Sequence, residues 1–163
     1  MNTTSHFYAK GNIWRRVRSI LFLMPAWFCP HKSLRAFFHR LRGVQIGHNV
    51  EIGYFCIIGN VHPNMVVIED DAVITARVTI LEHDNAYYYT MGGPVRFGAV
   101  RIGKHSFIGI GAVVLPGVTI GDHSIVGALS LVSSDVPSWT VFAGTPAKLI
   151  KQVTSSTTNL TRT

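Results

Sequence analysis

An aliphatic residue returns every six positions along most of this chain, and that spacing restricts the possible folds more than any other feature. One run is Ile46, Ile52, Ile58; a second is Ile68, Ile74, Ile80; a third is Ile102, Ile108, Val114, Ile120, Val126, Val132. A small or aliphatic residue stands two places earlier each time, as at Val44, Cys56, Ala72, Val100, Ser106 and Ser124. In a strand, residues two apart share a face, so each pair points the same way. Gly follows the aliphatic residue at 47, 53, 59, 103, 109, 121 and 127, where its backbone freedom suits a turn. A strand plus a turn every six residues predicts a parallel β-helix: three short faces per coil, eighteen residues per coil, aliphatic residues stacked inside. Ordinary sandwich strands would not hold one phase through twelve pairs.

The phase breaks twice. Ile58 to Ile68 is a step of ten, so Asn60 to Met65 carries four extra residues, His62 among them. Ile80 to Ile102 is a step of twenty-two, which makes 81–99 an excursion loop of the kind that carries function on a rigid scaffold. The chain then divides into a basic, apolar N-terminal arm (1–43), the repeat domain (44–151) and a Ser/Thr-rich, flexible tail (152–163). Within the arm, Ser33 to Arg42 reads as a helix with Leu34, Phe37, Phe38 and Leu41 on one side and Gly43 as its stop. An open solenoid end needs a cover, and this helix is expected to supply it. Lys148 to Gln152 is expected to begin a short terminal helix.

Charge separates arm from body. The net +7 is made of eight bases and no acid before Glu51, then seven bases against eight acids. The body therefore offers no basic groove for nucleic acid. Ile20 to Phe28 is too short to span a bilayer and contains Pro25. No small-residue cleavage site follows it. Two readings of the arm stand: a cover packed on the β-helix, or a peripheral contact with anionic lipid. Two cysteines, Cys29 and Cys56, without a CxxC pair fit a reducing, cytoplasmic setting, with the inner membrane face as the variant for a lipid-bound arm.

The stretch VRIGKHSFIGIGAVVLPGVTIGDHSIVGALSLVSSDVPSWTVFAGTPAKLIK, with GVTIGD and AGTPAKLIK inside it, and the upstream ITARVTILEHD resemble the hexapeptide-repeat acyltransferases over roughly Gly43 to Lys151. The nearest groups are the galactoside, maltose and xenobiotic acetyltransferases and the O-acetyltransferases of polysaccharide biosynthesis. The resemblance implies an all-β, left-handed parallel β-helix and a homotrimer with sites in the clefts between chains. It implies acetyl-CoA as acyl donor, a saccharide or other small-molecule hydroxyl as acceptor, and no metal.

It also implies roles. His83, which opens the excursion loop, matches the catalytic histidine, and imidazole is the side chain suited to take a proton near neutral pH. Glu82 and Asp84 flank it, and Asp84 is the candidate partner, with solvation as the alternative for either. Phe107 stands at a position often aromatic in the family. Gly109, Ile110 and Ala128 match positions lining the pantetheine cleft. Ser133 matches a polar contact to the cofactor. Lys148 and Lys151 match basic residues that meet the nucleotide phosphates. Ser134 replaces a lysine common in the family. Asn85 and Tyr87 in the loop are candidate acceptor contacts; Tyr87, Tyr88 and Tyr89 could equally pack on a neighbouring chain.

Two other functions are open on this fold. A metal-dependent carbonic anhydrase would need three converging histidines; His105 and His123, one coil apart, occupy ordinary polar turn positions instead. A non-catalytic assembly module is the other, since fold does not dictate function.

Overall fold

The computed structural model describes residues 13–153. The terminal dozen residues and most of the expected flexible tail lie outside them. Three parallel faces wind into a prism. The first holds β1 (Gln45–Ile46), β4 (Val66–Ile68), β9 (Val100–Ile102) and β12 (Thr119–Ile120). The second holds β2 (Glu51–Ile52), β5 (Val73–Ile74), β10 (Phe107–Ile108) and β13 (Ile125–Val126), extended by β15 (Thr140–Gly144) and β16 (Ala147–Gln152). The third holds β3 (Ile57–Ile58), β6 (Thr79–Ile80), β11 (Val113–Val114) and β14 (Leu131–Val132). The hexad aliphatics pair with one another in register, as Ile46↔Ile68, Ile108↔Val126 and Val114↔Val132. From Ile52 onward every one of them is 1% exposed or less. Ser106 and Ser124, at the small inward positions, satisfy their buried hydroxyls on the carbonyls of Gly103 (2.7 Å) and Gly121 (2.6 Å).

The repeated glycines have a different cause from the one expected. For most of them positive φ falls two residues later, as at Asn49, Phe55, His105, His123 and Leu129, while Gly59 takes it itself (φ 50°). The glycine itself is required because the next coil lies against it: a Cβ on Gly109 would stand 2.5 Å from the Ala128 nitrogen. Close approach of the coils excludes larger residues there, and only at Gly59 does a left-handed backbone add to it.

The C-terminal expectation is also corrected. Ala147–Gln152 is β16, antiparallel to β15, with Ala143↔Lys148 and Val141↔Lys151 opposed. So short a segment cannot nucleate a helix against the free edge that β15 offers. A register shift at Val141/Phe142 lets Lys148 and Lys151, three apart, fall opposite residues two apart. Both lysines thus lie on the outward side of the second face.

Helices α1 (Ile13–Phe28) and α2 (Lys32–Arg42) precede the coils. Next to the hexad aliphatics, N–H groups donate to the following coil's carbonyls, as Gly53 N to Ile74 O at 2.7 Å, while corner N–H groups donate back, as Arg77 N to Tyr54 O. In the first coil the carbonyls of Ile46, Ile52 and Ile58 take their donors from the helices instead. Arg40 donates to Ile46 O, Arg35 to Ile52 O (2.6 Å) and Arg42 to Ile58 O (3.1 Å), one arginine for each face. Trp27 Nε1 adds a bond to Cys56 O at 2.7 Å. Lys32 pairs with Glu51. Much of the arm's basic charge is thus engaged with the end of the β-helix. Among the described residues, no helix is long and apolar enough to cross a membrane.

Candidate active site

The parity of the strand leading into the loop decides this site. Ile80 faces inward; Glu82, two residues on, faces inward with it and is fully buried. A buried carboxylate needs donors. Three come from the four-residue insertion in the previous coil: Asn60 N reaches Oε2 at 3.1 Å, and Val61 N and His62 N reach Oε1 at 2.7 and 2.9 Å. The two breaks in phase are therefore one device, the first cradling the carboxylate carried by the second. Burial would raise the Glu82 pKa, but the N–H groups of His62 and Val61, with the nearby imidazole, outweigh it and hold it below the usual carboxylate range.

His83 follows on β7 (His83–Asp84), paired antiparallel with β8 (Arg96–Phe97). Its side chain is 14% exposed, and Nδ1 lies 3.1 Å from Glu82 Oε1. The ring stacks on Phe97 at 5.9 Å, while His62 meets the same phenyl ring edge-on at 5.3 Å. A neutral imidazole that donates from Nδ1 to this carboxylate has Nε2 as its acceptor nitrogen.

Asp84 does something else. Its Oδ1 accepts the Ala86 N–H at 2.8 Å and starts α3 (Ala86–Met91). The carboxylate on His83 is Glu82, where Asp84 was expected. Tyr87 packs over Gly93 and takes the Arg96 guanidinium on its ring at 5.3 Å. Asn85 stands at the N-terminus of α3.

Behind the site lies a second buried pair. Arg42 Nη1 is 2.9 Å from His39 Nδ1, and both residues are buried. Among the described residues, His39 Nε2 and Arg42 Nη2 have no hydrogen-bond partner. Desolvation, then the Arg42 charge, holds His39 down to about 3. Desolvation likewise lowers Arg42 to about 10, against the attraction of Glu82. The sign of the linkage is fixed: the unfolded chain binds a proton on His39 near pH 6.5, the native one not until about pH 3. Stability is full above about pH 6.5 and should fall by about 1.4 kcal/mol per pH unit below it. Urea midpoints compared at about pH 7.5 and about pH 5.5 check this, and His39→Gln should flatten the slope.

The expected donor-site residues, Ser133 apart, lie on another part of the prism. Phe107 (41% exposed) is on the outward side of the second face. Gly109, Ile110 and Ala128 form the corner between the second and third faces. His83 and Ser133 lie at the next corner, between the third and first. His83, Glu82, His62 and Phe97 come together at one corner, and Gly109 lies against Ala128 at the other, so the two groups are separate within one chain. Two surface depressions, one lined by Gln45, Glu69 and Lys104 and the other by Trp139, Phe142 and Leu149, do not include His83.

His105 and His123 stack at 4.7 Å, and Trp139 continues the stack at 4.0 Å from His123. Ring stacking on a corner column accounts for both histidines. Among the described residues, no group of three or more His, Cys, Asp or Glu gathers as a metal site would require.

Residues 99–134 match the bacterial transferase hexapeptide family, six repeats. A dTDP-4-amino-4,6-dideoxy-D-glucose acyltransferase of Escherichia coli is 34% identical over 149 residues, covering 74% of this chain and 77% of its own. The galactoside O-acetyltransferase of Escherichia coli K12 is 32% identical over 112 residues, covering 68% of this chain and 54% of its own, so the match spans about half of that relative. A hexapeptide-repeat acetyltransferase of Vibrio cholerae, solved with acetyl coenzyme A, superposes with a TM-score of 0.72 at 21% identity over 88% of this chain and 89% of its own. At that identity the likeness is one of fold.

Proposed function

The chain belongs to the hexapeptide-repeat acyltransferases, and from that premise we propose that it moves an acetyl group from acetyl-CoA to a sugar hydroxyl, with His83 as general base. The observation that carries this reading is the buried Glu82 carboxylate, held by three backbone N–H groups and bonded to His83 Nδ1. Such a partner fixes one tautomer and stabilises the imidazolium that forms when Nε2 takes the acceptor proton. The acceptor oxygen attacks the thioester carbonyl, and the proton passes from Nε2 to the departing CoA thiolate. Cys56 is a poor alternative nucleophile: it is fully buried, and burial pushes its thiol up to about 11. Transfer is then direct, without an acyl-enzyme.

Acetyl-CoA fits the second-face side. Phe107, Gly109, Ile110 and Ala128 offer a narrow, partly apolar path, and Lys148 and Lys151 offer charge for its phosphates. Since His83 stands one corner away, the reading requires a homotrimer in which the donor path of one chain meets the loop of the next. Asn85 and Tyr87 are the acceptor-side candidates. The coil is taken as left-handed, as in that family, and α2 with its three arginines as the cover of its first coil.

The amino-sugar acyltransferase among the relatives favours a second reading, N-acylation of an amino sugar; the same base would serve. Thiol release from acetyl-CoA, measured over sugar, amino-sugar and nucleotide-sugar acceptors, tests both. Stimulation by a hydroxyl acceptor is expected. Stimulation only by amines moves the assignment to the second reading, and stimulation by neither overturns acyl transfer to sugars. Light scattering should give three chains; a monomer would remove the shared cleft.

A further inference from the structure

Helix α1 presents its apolar side outward. Val17, Leu21, Met24 and Phe28 are 48%, 64%, 55% and 59% exposed, and Trp14, on the same stripe, is 74% exposed. The spacing 14, 17, 21, 24, 28 is the stripe that an amphipathic helix ordinarily buries. Here the buried positions are Ser19 and Ala26. Leu34 and Phe37 of α2 are also exposed, at 47% and 46%.

A second feature is independent of the first. Arg15, Arg16 and Arg18 fall in the first two turns of α1, and no acid accompanies them. That end of a helix carries the positive pole of its dipole, where cations are unfavourable. Arg18 is exposed. No acid occurs before Glu51 to compensate. An apolar face in water and a cationic helix start both cost stability in the isolated chain. An interface that is apolar below and anionic above relieves both at once.

We propose that α1 lies along the surface of an anionic phospholipid membrane, with Trp14, Val17, Leu21, Met24 and Phe28 in the acyl boundary and Arg18 among the headgroups. The helix has 16 residues, roughly 24 Å of length, so it lies on a bilayer and does not span one. A second copy of the chain is the competing occupant. It would bring two acid-free arms together, and like charge opposes that contact.

The test uses the full chain and needs no activity, so it stands apart from the acyl-transfer reading. Co-sedimentation is measured with phosphatidylcholine vesicles, with and without phosphatidylglycerol, at about 0.1 M and about 0.5 M salt. Binding is expected only to the anionic vesicles and should weaken at high salt. Leu21→Glu with Met24→Glu should lower it at least tenfold, with unchanged helicity and thiol-release activity. Arg18→Glu, on the flank of the stripe, should lower it severalfold if the double variant proves unstable. Absent binding, equal binding to neutral vesicles, or full binding by these variants overturns the proposal. So does a smaller oligomer in the double variant, which would assign the stripe to a contact between copies.

Discussion

His83→Ala is expected to lower kcat by about 10²–10⁴-fold, the usual contribution of a positioned proton acceptor. The KM for acetyl-CoA should stay within about threefold, because the proposed donor contacts Ala128, Lys148 and Lys151 lie on another corner and face of the prism, and Ser133, which shares the His83 corner, comes from a different coil. Stability should fall only modestly, since His83 is not part of the stacked aliphatic interior and Glu82 keeps its three backbone N–H donors. The measurement is steady-state thiol release by a variant whose oligomeric state and thermal midpoint match the native protein. A folded variant with near-native turnover would remove His83 from the reaction. His62, whose ring meets the same Phe97, would then be the first residue to test.

The prism was legible because its six-residue phase is a long-range constraint written locally: each strand shows its inward pair, and stacking repeats it. What depended on contacts between coils was not. The glycines after the aliphatic residues look like turn formers, and only the nearness of Ala128 to Gly109 shows that they are spacers between coils. The partners of Arg35, Arg40 and Arg42 were not legible, because nothing in the helix pattern shows that first-coil strand carbonyls await donors. Lys148 to Gln152 looks helical by composition, whereas the free edge of β15 decides its conformation. At the site, His83 could be found by motif, but its partner could not be found by proximity in sequence, since Glu82 and Asp84 are equally near. One signal was available: counting two from Ile80 places Glu82 on the inward side and Asp84 two further, past the point where the strand leaves the coil. The cradle from Asn60 to His62 was visible only as four surplus residues.

Glu82→Gln separates positioning from catalysis. Glu82 touches no reacting atom; it acts through His83. In the native chain one carboxylate accepts four N–H groups, Asn60 on Oε2 and Val61, His62 and His83 on Oε1. Glutamine has one acceptor oxygen and one NH2 group. With its oxygen toward His62 and His83, its nitrogen confronts the Asn60 N–H and that bond is lost, at about 1–3 kcal/mol for the unsatisfied buried donor. Arg42 is deprived of its nearby negative charge as well. The chemical effect is larger than the structural one. A neutral amide can still hold the Nδ1 proton, but it cannot stabilise imidazolium, so kcat should fall about 10²-fold or more while the KM for acetyl-CoA holds. If the amide turns over, its NH2 faces Nδ1 and selects the other tautomer, with the proton on Nε2, which cannot accept one from the acceptor. Nitrogen NMR of the imidazole reports that change directly, and a merely structural role would leave the native tautomer in place. Glu82→Asp, which keeps the charge but shortens the reach, should recover part of the turnover. A folded Glu82→Gln enzyme with kcat within about threefold of native, and an unchanged His83 tautomer, would show that the carboxylate serves the loop alone.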